Sequence, residues 1–279
     1  MGKPKRVLLL GGTTEATALM RKVTALADTP LADKPLANKP LADKLLADTP
    51  LAEIEIIHSL AGRTQQPMVA PQTRVGGFGG VAGLVDYLHQ QAIAGLIDAT
   101  HPFATQISAH AIAAAATVGI PHLRLLRPAW IPSASDRWVE VASNEAAAAV
   151  LPEIGDRFFL TIGRQELGTF APLRHLWFLM RMVDAPAPDA PIPPGVVLLE
   201  RGPFSVEQER SLLQRYSIGA IVSKNSGGDA TYAKIIAARE LQLPVVMVQR
   251  PPLPSAEQVA DVDSALIWLK ERILGDRLG

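Results

Sequence analysis

The sequence predicts an α/β protein of two doubly wound parallel-sheet domains with a cleft between them, and three observations carry that prediction. Short apolar, strand-like runs alternate with segments of helical spacing along most of the chain, the pattern of a parallel sheet covered on both faces. The alternation begins twice, at Arg6 and again after the RPAW segment at 127–130. The length of 279 residues also matches two domains at ~150 residues each. The expected boundaries are 1–128 and 129–279, and both domains read as Rossmann-like.

Taken in order, residues 6–10 (RVLLL) form a buried-type strand with no polar face, and Gly11–Gly12 make the turn after it. Residues 13–27 have helical spacing, with Ala16, Leu19, Met20 and Val23 on one side. A tandem five-residue repeat follows from Leu26 to Pro50, reading LADTP LADKP LANKP LADKL LADTP. Five residues advance a helix by about 500°, so successive leucines step ~140° and form no stripe. Proline in most units also removes amide donors. The stretch 28–50 therefore reads as a low-complexity insertion between core elements, the alternative being a partner-docking arm. Residues 53–58 then alternate as a strand, 83–91 form a short helix, 94–98 a strand, 104–118 an Ala-rich helix and 121–124 a strand. In the second half the expected helices are 144–151, 206–216, 230–241 and 264–274. The expected strands are 157–162, 176–183, 219–223 and 244–249. Five prolines make 185–195 a loop.

Composition excludes several classes of function. The chain is 48% apolar with a mean hydropathy of +0.17, enough to bury real cores. Its apolar runs are shorter than the ~18 residues a membrane helix needs. MGKPKR leads straight into the first strand without a signal-peptide pattern, so a soluble, cytoplasmic protein is expected, with no membrane partner. Lys plus Arg and Asp plus Glu number 27 each, which removes the bulk electrostatic case for a nucleic-acid partner. There are no cysteines, hence no disulfide, thiolate nucleophile or iron–sulfur cluster. The six histidines (His58, His89, His101, His110, His122, His175) never fall at i, i+3 or i+4, so no metal site is expected. The chemistry then falls to an organic cofactor or to acid/base side chains.

Candidate sites cluster where strands end. VLLLGGTTEA runs a strand through Gly11 and Gly12 into a helix start at Thr13, Thr14 and Glu15. Glycines allow close backbone approach to a phosphate, and first-turn amides bind anions. At the end of the second strand stand His58, Ser59, Arg63 and Thr64, with no acid beyond Glu55. An acid there holds the ribose 2′-OH of NAD, whereas hydroxyls and a cation suit the 2′-phosphate of NADP, so NADPH is expected over NADH. TRVGGFGG, with Gly77 and Gly79, either approaches a flat ring or is a plain flexible turn. LIDATHPFA places Asp98, Thr100, His101 and Phe103 at a strand's carboxyl end, where ligands bind in open α/β sheets. His101 is the candidate catalytic and substrate-facing group there. In the second half, LTIGRQEL places Gly163, Arg164 and Gln165 after a strand. IVSKNSGGDATYAK places Lys224, Asn225, Ser226, Gly227 and Gly228, with Tyr232 beyond, between a strand and a helix. That combination reads as an anion cradle for a carboxylate or phosphate, the alternative being a plain capped turn. The spacing of a P-loop is absent.

GGTTEA, SLAGRT, GGFGG, DATHPFA, LLRPAW, TIGRQEL and SKNSGGDATYAK occur here in the order found in precorrin-6A reductases and their cobalt-precorrin counterparts, and the chain resembles that family. The resemblance covers the whole chain apart from the repeat and the proline-rich loop. It implies a corrin-ring reductase of cobalamin biosynthesis that moves hydride from NADPH to a ring double bond of a polycarboxylated tetrapyrrole. It implies a first, NADP-binding domain and a second, substrate-binding one, with the macrocycle in the cleft. Arg164, Gln165, Lys224, Asn225, Ser226, Gly227, Gly228 and Tyr232, together with His101 and Phe103, would then face the substrate. Two other classes remain open from the sequence, a non-catalytic NADP-binding sensor and a two-domain transferase using a nucleotide-sugar donor.

Overall fold

The computed structural model describes residues 3–27, 53–61 and 73–275; the repeat at 28–50 and Arg63 lie outside the described residues. The chain divides into two compact units, Met1–Arg127 with Leu253–Gly279, and Pro128–Pro252.

In the first unit the chain runs β1 (Lys5–Leu10), α1 (Thr14–Ala27), β2 (Ile54–Leu60), β3 (Thr73–Val75), α2 (Gly80–Gln90), β4 (Ile93–Asp98), α3 (Thr105–Val118) and β5 (His122–Leu125). β1 is central, parallel to β2 on one side and β4 on the other, and it is buried on both faces. Val7 and Leu9 face a core with Leu19 of α1, while Leu8 and Leu10 face Leu84 and Leu88 of α2 and Ala111 and Ala114 of α3. That two-sided burial is why RVLLL carries no polar alternation.

The second unit runs β6 (Trp138–Val141), α4 (Asn144–Ile154), β7 (Arg157–Thr161), a 3-10 turn (Arg164–Thr169), β8 (Trp177–Met182), β9 (Gly195–Leu199), α5 (Val206–Arg215), β10 (Ala220–Lys224), α6 (Ala233–Glu240) and β11 (Val245–Val248). Ser143 caps α4 by accepting from Ala146, and Ser205 opens α5 with a reciprocal box with Gln208. Phe159, Leu179, Ile221, Val245 and Met247 make the core beside α5 and α6.

After β11 the chain returns to the first unit as β12 (Gln258–Val259) and α7 (Val262–Trp268), which continues in a π-helical turn through Leu274. β12 pairs with β5 at Arg124 and Leu125, and Ala265, Leu266, Trp268, Leu269 and Ile273 fill the core under α1. This corrects the expected second domain at its C-terminal end: 253–279 follows the second unit in sequence but buries its apolar face in the first. β3, β6, β9 and β12 were also not expected. All four are short, and all lie at sheet edges.

Both sheets are entirely parallel, in the orders β3-β2-β1-β4-β5-β12 and β9-β8-β7-β10-β11-β6. Each is the Rossmann order 3-2-1-4-5 with a sixth strand from elsewhere in the chain: β12 follows the whole second unit, and β6 precedes β7. Each order reverses at one point, between β1 and β4 and between β7 and β10, and ligands bind in the crevice beyond the strand ends there. Among the described residues no helix is long and apolar enough to cross a membrane.

Candidate active site

At the first reversal point two loops meet. Gly11 follows β1, and its amide donates to Ser59 O of β2 at 3.0 Å. Gly12 sits at φ 111° with open space where a Cβ would stand, so the backbone there is bare to a ligand. The Thr13 hydroxyl caps α1 by accepting from Ala16 N and donates to Ala99 O at 2.7 Å, tying the first loop to the one after β4. The expected Thr13 hydroxyl donor is therefore occupied within the protein.

Glu15 turns its carboxylate back on the start of α1. Burial works to raise its pKa, but its own amide, Arg127 (2.7 Å away) and the Thr14 hydroxyl outweigh that and hold it below the usual carboxylate range.

Beyond β4, Asp98 is buried and its Oδ1 accepts from the Thr100 amide and hydroxyl at 3.0 and 2.6 Å. Thr100 thus shapes its loop from within. His101 Nδ1 accepts from the Phe103 amide at 3.3 Å, which in the neutral ring places the proton on Nε2, and its ring lies 5.8 Å from that of Phe103.

At the far side of the Gly11–Gly12 turn, His58 on β2 is buried, with Nε2 unpartnered among the described residues. A Cβ on Gly11 would lie 2.0 Å from that nitrogen. Burial pushes the imidazole below its ordinary pKa, so it is neutral near pH 7. Ser59 pairs in register with Arg74 of β3. Arg74 donates to Ser59 Oγ at 3.4 Å and to the carbonyls of Gly76 and Gly77, and lies 3.9 Å over the Phe78 ring. The loop carrying Gly77 and Gly79 is thereby fixed next to the end of β2.

The second reversal point gathers Gly163, Arg164 and Gln165 after β7 and Lys224 to Gly228 after β10. Lys224 Nζ pairs with Glu166 Oε1 at 2.6 Å, and Arg164 lies 3.9 Å from Asp184 and donates to Ala185 O at 3.3 Å. Each expected cation thus already has a carboxylate beside it. Gln165 is exposed.

Asn225 is buried and clamps Trp130, accepting from its amide at 2.8 Å and donating to its carbonyl at 3.1 Å. Trp130 Nε1 in turn donates to Gly228 O at 2.8 Å. Arg250 donates to the carbonyls of Asn225 and Ser226, both at 3.0 Å. Gly227, at φ 70°, lies so close to Pro128 O that a Cβ would come within 2.0 Å of it. Side chains therefore take this loop's carbonyls, while the Asn225 and Ser226 amides donate to Val248 O and Lys224 O at 2.9 and 2.7 Å.

Tyr232 accepts from Arg239 at 2.8 Å and packs its ring 5.5 Å from Trp130. Lys234 lies beneath, donating to Thr231 O at 2.8 Å, with burial pushing its pKa down to about 8 against the pull of Glu209. One expectation is corrected here: the regular helix starts at Ala233, beyond Gly228, so Ser226 to Gly228 form a buttressed loop and not a helix N-terminus.

Of the functional candidates, Arg74, Glu166, Trp130 and Arg250 escaped sequence reasoning. Arg74, Glu166 and Trp130 lie inside the motifs TRVGGFGG, TIGRQEL and LLRPAW, whereas Arg250 lies in none. Among the described residues no cluster of His, Asp and Glu is placed to hold a metal ion.

Two Rossmann-type sheets, each with a glycine-bearing loop at its reversal point, define the class: a two-unit α/β protein of the dinucleotide-binding kind. Within that class the chain belongs to the precorrin-6x reductase family CbiJ/CobK, whose family model matches residues 39–270, and it is therefore an oxidoreductase. It is 43% identical over 267 residues to the precorrin-6A reductase of Rhodococcus erythropolis, covering 95% of this chain and 97% of that one. It is 41% identical to the precorrin-6A reductase of Rhodobacter capsulatus, covering 95% and 96%. The solved structure of a CobK precorrin-6A reductase superposes with a TM-score of 0.83 at 39% identity, covering 96% of this chain and 97% of that one.

Proposed function

We propose that this chain reduces a ring double bond of precorrin-6A with NADPH, a step of cobalamin biosynthesis carried out in the cytoplasm. The observation that carries the reading is the difference between its two reversal points. The first has bare glycine backbone after β1 and hydroxyl and guanidinium groups, but among the described residues no carboxylate, at the ends of β2 and β3. The second has Arg164 and Lys224 beside a loop whose carbonyls are capped by Arg250. A dinucleotide with an extra phosphate suits the first, and a substrate with many carboxylates suits the second.

The residues present fit a nicotinamide dinucleotide. The Gly12 and Thr14 amides would hold the pyrophosphate beside Gly11, whose own amide Ser59 O takes, because the space over Gly12 among the described residues admits it and the start of α1 faces it. Ser59 would border the adenosine ribose, with Arg63 expected there from the sequence. When bound, NADPH supplies the hydride, and a proton completes the reduction at the neighbouring ring carbon. His101 is proposed to face the reacting ring and to orient it with Phe103. Arg164, Lys224 and the amides of Gly227 and Gly228 bind side-chain carboxylates, Lys224 exchanging Glu166 for a substrate acetate or propionate. Asn225 and Tyr232 keep the loop in place through Trp130.

The test mixes enzyme with NADPH or NADH and follows the loss of reduced-nicotinamide absorbance, with metal-free precorrin-6A, with its cobalt form, or with neither. Consumption of NADPH that depends on metal-free precorrin-6A and far exceeds that of NADH is expected. Equal use of NADH, or preference for the cobalt form, would overturn the corresponding part of the reading.

A further inference from the structure

We infer that Arg74 is the residue that distinguishes NADPH from NADH by binding the ribose 2′-phosphate. The inference rests on the first unit being the NADPH site. Arg63, which the sequence suggests for this task, lies outside the described residues; the guanidinium that the structure does place at this corner is that of Arg74.

Three observations locate it. First, β3 pairs with β2 in the register Ser59↔Arg74, and β2 pairs with β1 in the register Leu10↔Ser59. Residues in register share a face of a parallel sheet, so Arg74 stands on the same edge as the phosphate turn, two strand spacings away, or about 10 Å. That is the side on which the adenosine ribose extends from a pyrophosphate held at Gly11–Gly12. Second, the guanidinium is fixed before any ligand arrives. The carbonyls of Gly76 and Gly77 hold it in its plane, and the Phe78 ring packs on its face at 3.9 Å with Tyr87 at 5.3 Å. A cation held this way loses little freedom on binding a phosphate. Third, three of its five N–H donors are used, by Ser59, Gly76 and Gly77, which leaves Nε–H and one Nη2–H among the described residues. Two such donors on one plane match two phosphate oxygens.

The charge balance at the corner agrees. The carboxylate that would hold a 2′-hydroxyl is absent from the described end of β2, and Glu55, the acid on that strand, is paired with Arg6 at 2.9 Å at its other end. Ser59 Oγ completes the corner as a second donor.

The test is equilibrium titration of the full chain with 2′,5′-ADP and with 5′-ADP, which differ by the group in question. The wild-type protein should bind 2′,5′-ADP more tightly. In Arg74→Ala that preference should fall roughly 10- to 100-fold, the cost of losing a charge-assisted pair, while 5′-ADP affinity stays within about threefold. Arg74→Lys, which keeps the charge without the fork, should retain an intermediate preference. A wild-type protein with no preference for 2′,5′-ADP would overturn the NADPH reading itself. If the wild type has the preference and Arg74→Ala keeps it, that reading survives and the role of Arg74 is refuted. If both ligands weaken equally in Arg74→Ala, Arg74 only holds the Gly76–Phe78 loop, and the inference fails.

Discussion

Replacing Gly11 with alanine tests how the turn after β1 is built. Gly11 has no positive φ to require glycine, so any cost of a methyl group is steric. The added Cβ would lie 2.0 Å from His58 Nε2 and 2.7 Å from Cδ2, against the ~3.5–4.0 Å at which such atoms pack. One of them must move by more than an ångström, and the imidazole is 94% buried on a strand paired on both sides. Gly11→Ala should therefore cost toward the upper end of the ~1–3 kcal/mol seen for overpacked cores. His58→Ala alone removes packing but also a buried nitrogen that is unpartnered among the described residues and whose desolvation costs ~1–3 kcal/mol, so its net effect should be small. The double variant should be more stable than the sum of the singles predicts by about 1–3 kcal/mol. Denaturant midpoints at constant slope measure all four corners of the cycle. Gly77→Ala is the control: its Cβ would meet nothing within 4 Å, and it should change stability by less than about 0.5 kcal/mol. Additivity of Gly11→Ala and His58→Ala within about 0.5 kcal/mol would refute the steric argument.

Three further outcomes are expected. His58 and His122 are both held below the ordinary histidine value by burial, His122 despite the opposing pull of Asp98. As pH falls through about 6.5 the unfolded chain takes up these protons and the folded one does not, so stability should fall toward pH 5. The slope should be shallower in His58→Ala, and an unchanged slope would contradict the burial argument. Lys224→Ala should weaken tetrapyrrole binding at least tenfold, from roughly 1.5–3 kcal/mol per charge-assisted bond, and leave the NADPH dissociation constant within about twofold. Titration showing the reverse pattern would exchange the roles of the two units. Replacing residues 28–50 with a short Gly/Ser linker should leave stability and reductase turnover nearly intact, and a loss of several kcal/mol would show that the repeat packs.

What the sequence disclosed and what it hid follow from how far each signal reaches along the chain. VLLLGGTTEA was legible because strand, turn and helix start are contiguous, and the two-sided burial of β1 leaves its mark in those same residues. β6, β9 and β12 were not legible, because a short edge strand is decided by what it pairs with; Gln258 and Val259 become a strand only beside Arg124 and Leu125. The return of α7 to the first unit was hidden for the same reason, since its apolar face shows helical spacing but not which core it fills. The polar residues expected at strand ends do stand there, yet several of them are engaged within the protein. Asn225, Thr100 and the Thr13 hydroxyl stand at these strand ends, and each is engaged within the protein: Asn225 and Thr13 with backbone groups of neighbouring loops, Thr100 with the Asp98 carboxylate. A tight loop at a buried sheet edge has backbone groups that water cannot reach, and the nearest side-chain donors and acceptors take them first. Polar side chains at such an edge therefore mark the strand ends, while the groups proposed to meet a ligand are those left over after the loop has satisfied itself: glycine backbone such as that of Gly12, and cations such as Arg74, whose fork has donors to spare among the described residues.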